Sequence, residues 1–235
     1  MAETSEIERA FKAICSMEAP LGERLAAFSA VVRAHALPFA EAYDHVVARV
    51  RSGEAGAAAP KPGDSMLAFP DRAGRVHRLD EMLPRGPVVV SFNRGHWCEY
   101  CAIELSALRQ ALGEIAATGA TVVSIMPETR EFIAKVAPGG KSFLVLSDEN
   151  NGYALALNLV IWLGERVRAL YLLHGIRLDL YQGNDGWFVP IPATFVVRRD
   201  GDIAARFVDP DFRRRMEHGD LRNPSHTQFF AELIA

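Results

Sequence analysis

Residues 87–101 read PVVVSFNRGHWCEYC, which combines a predicted buried strand with a pair of cysteines. The first six residues form a short apolar run that is typical of a strand covered on both faces. Cys98 and Cys101 follow at once, and the apolar spacing beyond them predicts a long helix. The unpaired N–H groups at a helix start stabilise a thiolate and lower its pKa below the usual value of about 8.5. The stretch therefore predicts a reactive dithiol where a strand gives way to a helix.

The segments after residue 63 alternate between strand and helix patterns. Strands are predicted at 87–92, 121–126 and 143–146, which are separated by a long helix that ends near Gly119 and a shorter one at 129–136. This βαβαβ order implies parallel strands joined by right-handed crossovers, and hence an α/β fold. The remaining predictions are an antiparallel hairpin formed by 194–197 and 203–207, a hairpin formed by 66–69 and 76–79, helical structure within 164–185, and a closing helix at 227–234.

The first fifty residues have a different texture. Apolar residues recur at helical spacing over 5–51, and Pro20 and Pro38 fall between the periodic segments, which predicts two or three short helices. A stretch rich in small and turn-forming residues follows and is predicted to be a linker. The resulting division is a helical segment at 1–52, a linker at 53–63 and an α/β domain at 64–235.

The composition is that of an ordinary globular protein, with 49% hydrophobic and 23% charged residues, which excludes disorder and collagen-like repeats. A net charge of -3 gives no reason to expect a nucleic-acid partner. No apolar run reaches the length of a membrane helix, and the acidic N-terminus lacks the pattern of a signal peptide. With 3 cysteines there are too few for a disulfide scaffold. We therefore expect a reduced, cytoplasmic protein that binds neither membranes nor nucleic acid.

A C-x-x-C pair alone has several interpretations. A zinc site would need two further ligands, but Cys15 is the only other cysteine and no two histidines have ligand spacing, so no metal is expected. Two inert core cysteines are a second alternative, although the strand-then-helix context favours a redox pair. Glu99 lies between the cysteines and disfavours a thiolate unless its side chain turns to solvent. The sequence leaves the balance between Glu99 and the helix start open.

Residues 91–101 resemble the motif of peroxiredoxin-like proteins of the AhpC/TSA group in the thioredoxin-fold superfamily. The resemblance extends over roughly residues 62–208 and includes PGD at 62–64, DRAGR at 71–75 and IPATFVV at 191–197. It implies a thioredoxin-like fold, with a central mixed sheet flanked by helices, preceded here by an N-terminal helical extension. It also implies an antioxidant, thiol-dependent reduction of hydroperoxides or disulfides.

The resemblance also assigns roles within the motif. Peroxiredoxins carry P-x-x-x-T-x-x-C, and this pattern places Cys101 at the peroxidatic position, Cys98 at the threonine and Arg94 at the proline. Pro192 falls where a later-strand arginine would stand, so three of the four active-site residues are replaced. Arg94 is a candidate to supply positive charge instead, and Trp97 is a candidate for an apolar substrate-binding surface.

Ile191 and Pro192 are the remaining candidates for substrate binding. They are similar to the cis-proline segment that faces the cysteine motif in thioredoxin-like folds. A proline at that position leaves the preceding backbone free to pair with an extended thiol substrate.

Two catalytic cycles use the same cysteines. In a peroxidase, the Cys101 thiolate attacks the O–O bond and Cys98 resolves the resulting sulfenic acid. In a thioredoxin-like reductase, an exposed Cys98 attacks a substrate disulfide and Cys101 breaks the mixed disulfide. Both cycles end at a Cys98–Cys101 disulfide and require an external dithiol donor such as thioredoxin. No bound cofactor is expected, since the sequence has no dinucleotide-binding motif. A non-catalytic redox sensor or binding protein is the alternative from a different class.

Four further features receive a structural interpretation. The basic run at 213–215 is predicted to be a solvated surface, and His96 to be an exposed loop histidine rather than a proton carrier. Cys15 lies on the apolar face of the first helix, where a thiol is usually inert. The apolar stretch at 162–181 has two alternative interpretations, a homodimer surface or a lid.

Overall fold

An all-helical start is followed by alternating strands and helices in the computed structural model, which describes residues 2–61, 69–70, 76–136 and 143–217. The elements are, in chain order, α1 (Ala2–Cys15), α2 (Leu21–His35), α3 (Leu37–Ser52), β1 (Phe69–Pro70), β2 (Val76–His77), α4 (Leu79–Met82), β3 (Val88–Phe92), α5 (Glu99–Ala117), β4 (Thr121–Met126), α6 (Arg130–Ile133), β5 (Leu144–Ser147), α7 (Gly152–Ala156), β6 (Val160–Trp162), α8 (Glu165–Leu173), α9 (Leu178–Gln182), β7 (Phe188–Pro190), β8 (Ala193–Val197) and β9 (Ile203–Val208).

The central sheet has the strand order β5-β4-β3-β8-β9. Strands β3, β4 and β5 are parallel, while β8 runs antiparallel to β3 and β9 antiparallel to β8. Every residue of β3 is buried, because helices cover both faces of this middle strand. The predicted βαβαβ unit and the C-terminal hairpin are therefore confirmed. The carboxyl end of β3 delivers the chain to residues 93–98 at the edge of the sheet.

Proline and apolar periodicity explain the three N-terminal helices. Pro20 directly precedes α2 and Pro38 lies in the first turn of α3, where a missing N–H costs no hydrogen bond. Leu25 and Phe28 of α2 belong to the same buried cluster as Ile103 of α5, so these helices share a core with the residues that follow the cysteines. The predicted helices are confirmed.

Residues 53–61, within the predicted linker, pack against the rest of the chain. Gly56 has a φ of +81°, and a Cβ at this position would press on Val208 and Ile191. Ala59 is buried as well. The boundaries of the three predicted segments stay a prediction.

Four details differ from the sequence-based expectation or lie beyond the described residues. Helix α6 covers only the start of the helix predicted at 129–136, and Leu79 begins α4 instead of ending a strand. The antiparallel pair β6–β7 was not predicted; it lies outside the central sheet. The closing helix at 227–234, like the hairpin residues 66–68 and 71–75, lies outside the described residues. Within the described ranges, no helix has the length and apolar character required to cross a bilayer.

Two glycines offer a matched test of this packing. Gly86 precedes β3 with a φ of +156°, and a Cβ there would overlap the carbonyl oxygen of Gly119. Gly113 lies within α5, and nothing is found within 4 Å of its Cβ position. We expect Gly86→Ala to lower the free energy of unfolding by roughly 2 kcal/mol or more, because backbone atoms must move. Gly113→Ala should raise that free energy by about 0.5–1 kcal/mol through helix propensity. Urea unfolding checks both, and equal effects would contradict this description of the β3 entrance.

Candidate active site

The two thiols lie side by side where β3 passes into α5. Cys98 is the N-cap residue of α5, and its Sγ accepts a hydrogen bond from the backbone N–H of Cys101 at 3.4 Å. The Sγ of Cys101 accepts from the backbone N–H of Arg94, also at 3.4 Å. Both cysteines are free thiols, and their exposed fractions are only 1% and 0%. Cys98 is therefore not the exposed thiol of the reductase cycle, because the surrounding side chains close over it.

Arg94 is buried against the sulfur of Cys98. Its Nη2 lies 3.2 Å from Cys98 Sγ, and the guanidinium is stacked over the ring of Phe212, 3.8 Å from the centroid. Its Nε has no hydrogen-bond partner. Only 2% of Arg94 is exposed, so its charge is screened very little by water. The positive charge predicted for Arg94 therefore lies in direct contact with the sulfur of Cys98.

A second buried guanidinium reaches Cys101 from the far end of the described chain. Arg215 Nη2 lies 3.6 Å from Cys101 Sγ, and its Nε donates to Glu104 Oε2 at 2.8 Å. The other Glu104 oxygen accepts from Ser91 Oγ at 3.1 Å. The prediction that residues 213–215 form a solvated surface is wrong for Arg215, because its charge is compensated inside the protein by Glu104.

These contacts shift the pKa values of the two thiols in opposite directions. Burial acts to raise the pKa of Cys98, but the hydrogen bond from Cys101 and the charges of Arg94 and Arg215 outweigh it and lower that pKa to about 5. Burial, and then the hydrogen bond and charge of Cys98, raise the pKa of Cys101 well above its usual range. The two opposite directions favour a thiolate on Cys98 beside a protonated Cys101.

Glu99 does not prevent this outcome. Its side chain is solvent-exposed, even though the desolvating effect of nearby protein atoms, followed by the charge of Cys98, raises its pKa to about 7. The like charge of Glu99 opposes a thiolate on Cys98, but Arg94 contacts that sulfur directly and the pKa of Cys98 is lowered all the same. The geometry therefore favours the thiolate.

The loop before Cys98 is fastened by Glu128, a residue that follows β4. Its carboxylate is 0% exposed, and it accepts from the backbone N–H of His96 at 2.8 Å and contacts His96 Nδ1 at 2.7 Å. Gly95 has a φ of +142°, and a Cβ there would lie 2.6 Å from Glu128 Oε1. His96 is thus not an exposed loop histidine, because Glu128 draws it against the protein, where it also stacks on Phe132. The isolated Glu128 gives no sequence signal of this role.

Aromatic rings close the site from above. Trp97 packs edge-on against Tyr171 of α8, at 5.2 Å between centroids, and its Nε1 is buried without a partner. Phe212 contacts Tyr43 and Tyr100 at 5.1 and 5.3 Å between centroids. Trp97 is half-buried, with its ring packed on Tyr171 and Arg94, and its role in substrate binding stays a prediction. Among the described residues, no group of three or more potential metal ligands occurs.

A model of the AhpC/TSA family matches residues 58–206, which is more than half of the chain. The chain belongs to the AhpC/TSA family. Its fold is similar to that of peroxidoxin BcpB from Mycobacterium tuberculosis, with a TM-score of 0.52 and 20% identity over 74% of this chain and 97% of that one. It is also similar to AhpC from Enterococcus faecalis, with a TM-score of 0.50 and 15% identity over 73% and 94% of the two chains. A comparison with curated proteins gives no significant match.

The family's thioredoxin-like fold is present, with its five-stranded sheet flanked by helices. The expected cis-proline is not, because the bond between Ile191 and Pro192 is trans, as are all peptide bonds of the described residues. The N–H of Ile191 donates to the carbonyl oxygen of Leu159, and Ile191 is 1% exposed. This backbone is therefore engaged within the protein, so its N–H is not free to pair with an extended substrate. Substrate binding by Ile191 and Pro192 stays a prediction.

The thiolate gives a direct test of the site in this AhpC/TSA protein. Thiolate absorbance near 240 nm should persist as the pH falls from 8 to 6 and disappear only around 5, because the depressed pKa keeps Cys98 charged above that value. Arg94→Met should raise the midpoint by about one unit or more, since it removes the charge nearest to Cys98.

Arg109→Met is the matched control, because that arginine also belongs to α5 but donates to the carbonyl oxygen of Val136. The absorbance step should be absent from Cys98→Ser. A step that survives in Cys98→Ser but is lost in Cys101→Ser would overturn the assignment.

Proposed function

We propose that this protein is a thiol-dependent oxidoreductase that reduces small hydroperoxides, with Cys98 as the attacking thiolate and Cys101 as the resolving thiol. The observation that carries the proposal is the 3.2 Å contact between Arg94 Nη2 and Cys98 Sγ inside a closed site. A thiolate is the nucleophilic form of cysteine, and this arrangement keeps Cys98 in that form at neutral pH. The roles are the reverse of those implied by the family pattern, which places Cys101 at the peroxidatic position.

The burial of both thiols favours a small substrate. A protein disulfide must bring one of its sulfurs into line with the attacking Sγ, and an exposed fraction of 1% leaves no surface for that approach. A cavity of about 540 Å³ is lined by Arg215, which contacts Cys101, together with residues of α2, β9 and the segment after it. We infer that side-chain movement around Arg215 admits a hydroperoxide or a small thiol, whereas a protein surface is excluded.

The reaction balances with the residues present and one external donor. The Cys98 thiolate attacks the terminal peroxide oxygen, the O–O bond breaks, and the alkoxide that leaves takes a proton from water; Cys98 becomes a sulfenic acid. Cys101 then forms an S–S bond with Cys98, and its proton leaves with the hydroxide as water. Two electrons from external thiols return the disulfide to the dithiol.

Reduction of small disulfides is a second candidate, favoured by one observation. The thiolate belongs to the first cysteine of C-x-x-C at the N-cap of α5, the arrangement used in thiol–disulfide exchange. The sensor or binding alternative retains the same thiols without turnover.

The two cysteine variants distinguish the assignments. Hydrogen peroxide and an organic hydroperoxide are supplied to wild type, Cys98→Ser and Cys101→Ser with dithiothreitol as donor. Wild type should turn over, and Cys98→Ser should lose at least 100-fold in rate because it lacks the nucleophile. Cys101→Ser should react once and then accumulate sulfinic acid, detected by mass spectrometry.

Three other outcomes each contradict part of the proposal. A first turnover retained by Cys98→Ser but absent from Cys101→Ser would restore the family's assignment. If wild type reduces a small disulfide but no peroxide, exchange is the function. No turnover with either substrate would favour the sensor or binding alternative. Cys15→Ser, which removes a thiol outside the site, is the control for nonspecific thiol loss.

A further inference from the structure

Two guanidinium groups contact the cysteine sulfurs, and among the described residues only that of Arg215 is paired with a carboxylate. Arg94 and Arg215 contribute two positive charges, and Glu104 contributes one negative charge that is already paired with Arg215. Among the described residues, no carboxylate forms an ion pair with Arg94; Glu99 acts on it only from an exposed position. The buried carboxylate of Glu128 is engaged with His96 instead. The group that can balance the charge of Arg94 is therefore the Cys98 thiolate, whose sulfur lies 3.2 Å from its Nη2.

Oxidation removes that counter-ion. A Cys98–Cys101 disulfide carries no charge, so the guanidinium of Arg94 is left buried beside neutral sulfur, Phe212 and Trp97. An unpaired buried charge is strongly unfavourable, whereas a paired one is tolerated. Arg215 keeps Glu104 in both states, so the penalty falls on Arg94. The folded protein thus stabilises its dithiol form more than its disulfide form.

We propose that the Cys98–Cys101 pair is a strongly oxidising couple, whose disulfide is returned to the dithiol by monothiols of the glutathione class without a dedicated dithiol protein. The inference rests on the proposed function, which forms the disulfide, and names the class of reaction that consumes it. A disulfide becomes a strong oxidant when the reduced form of the protein is preferentially stabilised. Here the stabilising group is a single arginine.

The step is balanced as an exchange. Two small thiols give up two electrons and form an S–S bond with each other, and the protein S–S bond breaks. Cys98 is released as a thiolate against Arg94 and Cys101 as a thiol, so of the two protons of the small thiols one is kept by Cys101 and one goes to solvent. The reaction therefore becomes more favourable as the pH rises above the pKa of Cys98, until the small thiols themselves ionise.

A redox titration tests the proposal on the full chain carrying Cys15→Ser, so that only the pair reacts. The protein is equilibrated at pH 7 in buffers with graded ratios of reduced to oxidised glutathione. The samples are then quenched with acid and alkylated, and intact-protein mass spectrometry gives the fractions of dithiol and disulfide. The same titration in concentrated urea gives the couple without its folded environment. We expect the folded protein to favour the dithiol at least tenfold more than the unfolded chain, equivalent to about 30 mV.

Arg94→Met should move the folded equilibrium at least tenfold toward the disulfide, while Arg94→Lys, which keeps the charge, should stay closer to wild type. Arg109→Met is the matched control and should remain within about twofold of wild type. Urea unfolding of the reduced variants verifies that they fold. In wild type the dithiol form should unfold at a higher urea concentration than the disulfide form, and Arg94→Met should reduce that difference.

The failures are distinguishable. If oxidised glutathione or peroxide never produces a Cys98–Cys101 disulfide, the proposed function is wrong. If the disulfide forms and supports peroxide turnover, but folded and unfolded equilibria agree or Arg94→Met leaves them unchanged, only the oxidising character is wrong.

Discussion

A guanidinium buried against a sulfur is the constraint on which the rest of the site depends. Arg94 is held between Cys98 and Phe212, so its charge acts through protein rather than water. Electrostatic interactions are several-fold stronger in such surroundings than at a surface. The price is that every covering element must remain in place, including the N-terminal helices and the segment after β9. The aromatic cluster around Tyr43 and Tyr171 therefore helps to exclude water from Arg94.

Much of the fold is readable from the sequence because it depends on local patterns. Strand β3 is marked by a continuous apolar run, and α5 by apolar residues spaced three and four positions apart. Both patterns can be recognised within a few residues, and both elements appear where expected. Short elements are less predictable. The pair β6–β7 aligns Trp162 with Phe188 across 26 positions, and such pairing is decided by tertiary packing rather than by either strand alone.

The site likewise combines residues that are close in the sequence with residues that only the fold brings together. Cys98, Cys101 and Arg94 lie within eight residues and are visible as a motif, whereas Glu128 and Arg215 are isolated charges in unrelated segments. Arg215 is the instructive case, since three consecutive arginines normally indicate solvent. Its neighbour Arg214 is indeed largely exposed and pairs with Asp209, while Arg215 turns inward to Glu104. Only the fold shows which arginine of the three is itself buried and reaches Glu104.

The distance along the chain between Cys101 and Arg215, 114 residues, has a consequence for biosynthesis. Translation produces the cysteines long before the arginine that contacts one of them, and before the segment carrying Phe212 that covers Arg94. A nascent chain therefore presents two unprotected thiols without their full electrostatic setting. The environment that makes them special arises only when β9 has joined the sheet and the segment behind it has docked. The lowered pKa of Cys98 is therefore a property of the folded chain and not of the C-x-x-C sequence alone.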